Sequence, residues 1–575
     1  MSNPPIKKDD FTSSSQDLEN EITFATDVEK NTKEINVESK HAENSLKRDL
    51  KARHLSMIAI CGALGVGLLI GTGNVLKKAG PGSLFISYSL VGLIVTTVMT
   101  AIGEMATYLP MRQSYTGFSA RYVDPCLGFA FGWIVACGSL LGPANEFVAG
   151  AMVMNYWIPT DKVNAGVWVA IMIVFATLIN YFGVKWYGEI EFWLCAIKVV
   201  VILAVIFMML VLMLGGGPDH DRKGFRYWKN PGAFAEYKNN NVFISGNTGR
   251  LVAFTSSIVN AVFAYVGIEN VGTLVGESQN PRRNIPRAVK LAFYRIILFY
   301  VICTLLLGCN VPFNSPLLKN ATSATTSAAA SPFVVAIRLA KISGLDHVLN
   351  GALLIFCFSS GNTGFYNCSR TLYSLANRNQ APKLFLKTNK KGVPIYALAT
   401  AVLFSMTGFM CVSEKADVVF EYFVSFISSL GVMKWISVLI THIAFMNALK
   451  AQGVSRATLV YKSPFQPYAS YISLGVCIFV ALIKNFTVFL KGNFDIKLFI
   501  TGYINIPLFI GLNLGYKLIA KSKRLKSSEV DLVTGKDVID KEEDEFLAEQ
   551  AHKKELRGDK KDWKWIYEHS IGYLF

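Results

Sequence analysis

Gly62-Ala63-Leu64-Gly65-Val66-Gly67 lies in one apolar run and Gly267-Ile268-Glu269-Asn270-Val271-Gly272 in another, and the fold turns on these two stretches. Lipid cannot hydrogen-bond a backbone, so a helix loosened at membrane depth must face protein, water or a ligand. Glycine loosens a helix by about 1 kcal/mol relative to alanine. Two interrupted apolar segments in corresponding halves of a chain point to a secondary transporter's binding site. Close helix packing is the competing reading of the first stretch, because Gly67 and Gly71 form a GxxxG pair.

Working outward, the 575-residue chain is 52% hydrophobic and 17% charged, and its apolar residues fall in long runs. That pattern predicts an all-α polytopic membrane protein. Twelve spans are expected, near 55–76, 84–108, 127–157, 165–184, 191–214, 251–275, 291–311, 346–370, 395–412, 418–446, 469–490 and 496–519. Residues 1–46 are polar and read as a disordered N-terminal tail, 47–520 as the transporter domain and 521–575 as a C-terminal tail. No cleavable signal peptide is expected, so the first apolar segment would direct insertion itself.

A net charge of +17 on a soluble chain would suggest nucleic acid. Here the basic residues gather between apolar runs, and orienting loops beside anionic lipid is the simpler account. Arg282, Arg283, Arg287, Lys290 and Arg295 follow the sixth span, Arg378 to Lys391 the eighth, and Lys450, Arg456 and Lys462 the tenth. All three loops fall on the side of both tails, so both termini are expected in the cytoplasm. The 215–250 connection is the exception, being outside with six Lys or Arg. The Asn320-Ala321-Thr322 sequon also falls outside. Ten scattered cysteines show no metal or redox spacing, so no metal or cofactor is expected.

An interrupted helix frees N–H groups that suit a carboxylate and carbonyls that suit an ammonium. A zwitterionic α-amino acid offers both. Glu269 stands between Gly267 and Gly272, where a carboxylate is costly unless protonated, paired or wet. It could bind a substrate amine, carry a coupled proton or hold the broken helix in shape. Glu104, near the end of the second span, fits a structural or gating role. Glu146 in the third span either pairs with a neighbouring helix or works in transport. Lys198 is too deep in the fifth span to snorkel, so it is either an amine that gains and loses a proton or a fixed cation where sodium-coupled relatives place metal. Lys434 is a weaker case of the same kind. Ser359, Ser360, Asn362 and Thr363 either line a pathway or join helices, and Tyr156 and Trp157 read as interface anchors.

These residues sit in LKRDLKARHLSMIAICGALGVGLLIGTG, GEMATYLP, ARYVDPCLGFAFGW, YFGVKWYGEIEFWLCAIKVV, VFAYVGIENVGTLVGESQNPRRNIPRA and SRTLYSLANRNQAPKLF. Over residues 47–535 the chain resembles the fungal amino acid permeases of the amino acid–polyamine–organocation superfamily. GGGPDHDRKGFRYWKNPGAF, LIKNFTVFL, FDIKLFITGYI and WKWIYE are most similar to the dicarboxylic permeases. The resemblance implies twelve helices, with inverted five-helix repeats plus two C-terminal helices. It implies that Gly65, Val66 and Gly67 offer N–H groups to an α-carboxylate. Carbonyls around Phe263, Ala264 and Tyr265, beside Gly267, would receive the α-amine, with Tyr265 as an aromatic gate. Lys198 matches a lysine linked to proton coupling, and Glu269 the family's Gly-x-Glu carboxylate. Val66 stands where Thr is usual, Gln113 where Gly is usual, Gly138 where the dicarboxylic permeases resemble one another in having a basic residue, and Gly364 where Asp is usual.

The expected function is therefore a proton-coupled amino acid symporter of the plasma membrane, with glutamate and aspartate favoured. Its partners would be the amino acid, protons, membrane lipid and cytoplasmic trafficking or ubiquitination machinery at the tails, with no nucleic acid. A permease for neutral or basic amino acids, or an amino acid sensor of permease ancestry, fits the same ancestry. An enzyme is disfavoured, because no nucleophile–base motif or metal spacing is present, and a channel because paired helix breaks suit an occluded site.

Overall fold

The computed structural model describes Met57 and residues 64–111, 114–239, 242–270, 272, 281–318, 331–413, 416–491 and 494–557. Gly62, Val271, the 1–46 tail, the Asn320 sequon and the segment from Trp563 lie outside the described residues.

The chain enters through α1 (Val66–Leu69), which Gly65 precedes in an extended conformation, and continues after Ile70 into α2 (Gly71–Tyr108). Gly80, at φ 85° and ψ 172°, divides α2 into two helical arms. Pro81 then starts the second arm, where its missing N–H costs nothing. The outer connection stitches this corner: Gly82 N–H donates to Ala233 O at 2.7 Å and Ala235 N–H to Ala79 O at 3.0 Å. A Cβ at Gly80 would lie 2.8 Å from both Ala233 O and Ala235 N, so only glycine fits. The second expected span thus begins at the Gly80–Pro81 corner, a few residues before 84.

α3 (Pro125–Met154) starts with Asp124 accepting from Cys126 N–H at 2.8 Å and Pro125 in the first turn. α4 (Ala165–Tyr181) is capped by Asn164 in the same way. α5 (Val184–Leu214) follows a positive-φ Gly183. A short antiparallel hairpin, Tyr237–Asn239 with Val242–Ile244, interrupts an otherwise helical architecture in the outer connection. α6 (Gly246–Tyr265) then leads to the second break. α7 (Arg282–Asn310), α8 (Leu345–Asn377), α9 (Ile395–Val412), α10 (Ala416–Ala451), α11 (Tyr468–Phe489), α12 (Ile496–Ala520) and the charged α13 (Lys536–Arg557) complete the order. Among the described residues ten helices are long and apolar enough to cross a membrane, and α4 is a shorter apolar helix.

Burial sorts these helices into layers. The most apolar window of α10 is 89% buried and that of α12 only 11%, which puts α10 at the centre and α12 at the rim. On α5, Trp193, Val200 and Phe207 are exposed, while Glu191, Cys195, Lys198 and Ile202 are buried. The exposed set recurs every seven residues, two turns, and the buried set every three to four, so α5 turns an apolar face outward and its polar stripe inward. α8 and α10 each pack on α3, and α6 packs against α2 and α10, so both helix breaks sit inside this bundle.

The segment after α12, expected to be tail-like, is ordered by the bundle. Val530 and Leu532 are buried, Leu525 N–H donates to Val123 O at 3.2 Å, and Arg282 pairs with Asp540 and Glu543 of α13.

Candidate functional site

Gly65 and Gly67 bring the first break against the second. A Cβ at Gly67 would lie 2.6 Å from Ala264 Cα, so only glycine lets the two backbones approach this closely. A Cβ at Gly71 meets nothing within 4 Å, so the GxxxG packing reading fails at its second glycine. On the other side α6 stops at Tyr265. Val266 is extended but its N–H still donates to Val262 O at 3.1 Å and Phe263 O at 3.2 Å, so the break at Gly267, with φ 100°, falls on the carbonyls after Phe263.

A cavity of about 110 Å³ lies at this meeting point. Of the expected binding residues, Gly65, Gly67, Phe263, Ala264 and Gly267 line it. Val66 and Tyr265 do not. Val66 is buried, and the Glu146 carboxylate lies beside this backbone, its Oε1 2.9 Å from where a Cβ at Gly65 would be. The Tyr265 ring is stacked 4.4 Å from Tyr300, and its hydroxyl donates to Tyr88 O at 2.9 Å. The Tyr88 hydroxyl in turn donates to Gly67 O at 3.3 Å. Tyr265 and Tyr88 therefore tie the two breaks through α2, and Phe263 is the aromatic ring at the cavity. Tyr88 carries no signal in the sequence that sets it apart from other span tyrosines.

Two charged pairs flank the cavity. Glu146 lines it from α3, in Coulombic range of Lys198. Lys198 is fully buried, with its Nζ 5.8 Å from the centre of the Phe356 ring and no hydrogen-bond partner among the described residues. Glu146 Oε2 also has none. The second pair is Lys434 Nζ with Glu269 Oε1 at 3.2 Å. Glu269 Oε2 accepts from Gly267 N–H at 3.0 Å and from Trp435 Nε1 at 3.4 Å. Glu269 thus holds the broken backbone of the sixth segment in shape and stays out of the lining, whereas Lys434 is in it. Their separation of 165 positions gave nothing to join them.

The eighth-span polar residues divide. Ser360 and Thr363 line the cavity. Ser359 donates to Glu191, and Asn362 donates to Glu191 Oε2 at 3.1 Å while accepting from Asn180 at 2.8 Å. Glu191, unremarked in the sequence, thereby knits α4, α5 and α8. Glu104 is remote from the cavity. It accepts from Arg456 Nε at 2.8 Å and Nη2 at 2.9 Å, from Ser463 N–H at 2.9 Å, and faces His442 Nε2 at 3.3 Å. Tyr156 hydrogen-bonds Asp346 at 2.6 Å, which fixes an outer corner in addition to any interfacial role.

Comparison with known proteins places the chain. The amino acid permease family model matches residues 54–529. The dicarboxylic amino acid permease of Saccharomyces cerevisiae is 47% identical, over 94% of this chain and 88% of that one. The proline-specific permease of Emericella nidulans is 39% identical, over 91% of this chain and 93% of that one. Among solved structures, a nucleobase-cation-symport-1 family transporter with bromovinylhydantoin bound aligns at a TM-score of 0.46 and 15% identity, covering 87% of this chain and 98% of that one.

Proposed function

The chain belongs to the amino acid permease family, transporters rather than enzymes, and from that premise we propose that it is a plasma-membrane symporter importing glutamate and aspartate with protons. Its twelve helices form two inverted five-helix repeats plus a C-terminal pair, with residues 47–520 as the transporter domain between cytoplasmic tails. The observation that carries the reading is the cavity between the two broken helices. Gly65 and Gly67 line it from one side and Phe263 and Ala264, at the end of α6, from the other. The 47% identity to a dicarboxylic permease supports an acidic substrate.

Proton coupling rests on Lys198 and Glu146. An amine buried without a hydrogen-bond partner is expensive at membrane depth. The Glu146 carboxylate lies beside the first break, its Oε1 2.9 Å from where a Cβ at Gly65 would be, in the place the family resemblance gives to the α-carboxylate. Arrival of that carboxylate displaces Glu146 towards Lys198, and a proton on Glu146 removes the repulsion between the two acids. Glu269 and Glu104 act as shape-holding groups.

The test is labelled uptake in cells lacking their own permeases, across external pH, with glutamate, aspartate, proline, glutamine and lysine competing. Saturable glutamate uptake that rises as the medium is acidified is expected. A correctly localised protein that takes up no amino acid sinks the transporter reading, and a preference for proline or lysine sinks the acidic one.

A further inference from the structure

We propose that Lys434 receives the side-chain carboxylate of the substrate, and that Gly138 is the clearance that lets its ammonium do so. The inference rests on the acidic amino acid reading above and supplies the group that gives it selectivity. An acidic amino acid carries a second carboxylate. Burying that carboxylate without a partner costs several kcal/mol. A site that selects it must present a cation, and Lys434 is the one cation among the described residues lining the cavity.

Three features of its surroundings suit that role. First, an ammonium has three donors, and Glu269 Oε1 accounts for one. Second, Glu269 is pinned by the Gly267 N–H and the Trp435 indole on its other oxygen, so it orients Lys434 and cannot follow it into the cavity. Third, a Cβ at Gly138 would lie 3.2 Å from Lys434 Nζ and 3.3 Å from Cε. Any larger residue there would press on the ammonium. The α-groups are assigned to the Gly65–Gly67 and Phe263–Gly267 side. A side chain can then run towards Gly138, Ser139, Gly142, Ile427 and Lys434, and no other residue of the lining offers it a cation. The volume suits the ligand too. At roughly 10–15 Å³ per water-sized occupant, 110 Å³ admits about seven to eleven, against the nine or ten non-hydrogen atoms of aspartate or glutamate.

Charge balance points the same way. With a proton on Glu146, the cations Lys198 and Lys434 outweigh Glu269 by one charge. An acidic amino acid, net negative by one, neutralises the site. A neutral substrate leaves the excess in place, and a basic one doubles it.

The experiment measures uptake of glutamate and its neutral isostere glutamine by the full-length protein, normalised to surface abundance. It compares the wild type with Lys434→Gln, Gly138→Ala and the double variant Glu269→Gln/Lys434→Gln. The double variant removes both charges of the Glu269–Lys434 pair and so strands neither, which guards against misfolding of the single one. Wild type should favour glutamate. Lys434→Gln should raise the KM for glutamate and lower the glutamate-to-glutamine ratio of kcat/KM by about 100-fold, with glutamine uptake retained. The double variant should show the same loss of preference, and Gly138→Ala a smaller one. A glutamate preference that is undiminished in Lys434→Gln or in the double variant at the cell surface overturns the assignment of Lys434 while leaving the acidic reading intact. A wild type that prefers glutamine overturns both, and that is read before any variant is made.

Discussion

Two sets of buried carboxylates and cations in this molecule are bonded very differently. Glu104 at the end of α2 is saturated: Arg456 grips it with two nitrogens, Ser463 N–H adds a third bond and His442 faces it at 3.3 Å. His442 is itself held by Ser470 at 3.0 Å through its other ring nitrogen. Beside the cavity, Lys198 Nζ and Glu146 Oε2 have no partner among the described residues. Buried polar groups are almost always bonded, so a saturated cluster reads as architecture and an unsatisfied pair as a place where something else must bind. Charge inside a span therefore marks function only where its bonds are incomplete.

The most direct way to break this contrast is Lys198→Ala. The substitution removes an ammonium that no hydrogen bond holds, so the protein should still reach the surface. pH-driven accumulation should fall on the order of a thousandfold, about 4 kcal/mol of lost transfer. Labelled uptake with and without an imposed proton gradient checks it. Unchanged accumulation would remove Lys198 from coupling and dissolve the contrast.

Glu104→Gln is the counterpart on the saturated side. It strips the paired acceptor from Arg456 and should cost about 3 kcal/mol of stability, the low end for breaking a buried pair because Arg456 is partly exposed. Thermal unfolding of the purified protein reads this directly. Molecules that do reach the surface should keep the wild-type KM. A normal melting temperature with a changed KM would make Glu104 part of the transport cycle instead.

How much of this could be read from the chain follows from the same physics. The spans are legible because lipid demands long apolar runs, and the breaks because Gly65, Gly67 and Gly267 interrupt them. Glu269 and Lys198 stood out as charges in apolar surroundings. What each charge touches was not legible. Lys434 and Glu269 meet across 165 positions, and Glu191 sits on α5, where apolar residues on every face hide which side turns inward. The placement of Tyr265 was equally hidden, since a break fixes where a helix ends and leaves the direction of its last ring to packing against Tyr88 and Tyr300. The charged composition of 521–560 concealed a docked segment, because two buried side chains, Val530 and Leu532, do not change a window average.

Gly67→Ala sharpens the contrast at the backbone. The added methyl would meet Ala264 Cα, a backbone atom that cannot swing aside, so the two breaks must separate. A cost of about 2 kcal/mol is expected from overpacking, read as a raised KM for substrate. Gly71→Ala is the internal control, since nothing lies within 4 Å of its Cβ. It should be neutral or stabilise by up to about 1 kcal/mol. Equal effects at the two positions would mean that Gly67 serves general helix packing.

The smallest effect belongs to the docked C-terminal segment, an extension of the saturated architecture. Arg121 donates through Nε to Asp531 O at 2.7 Å and through Nη2 to Thr534 O at 2.8 Å, and pairs with the Asp531 carboxylate at 2.9 Å. Burial alone would raise the Asp531 carboxyl, but the Thr534 and Val533 amides and the Arg121 guanidinium outweigh it and hold it below its ordinary value. A carboxylate lowered in the folded state contributes fully above the ordinary value near about 3.9 and loses that contribution only as pH falls through the lowered one. Docking should therefore be constant between about pH 5 and 7.5, the range over which the proposed proton-coupled uptake is to be measured. Asp531→Asn should weaken it by less than about 1 kcal/mol, because the pair is half-exposed and both backbone bonds from Arg121 survive. Limited proteolysis of the segment after α12 across that range measures this. A tail released on acidification would instead tie it to the proton-sensing pair by the cavity, against its bonding pattern.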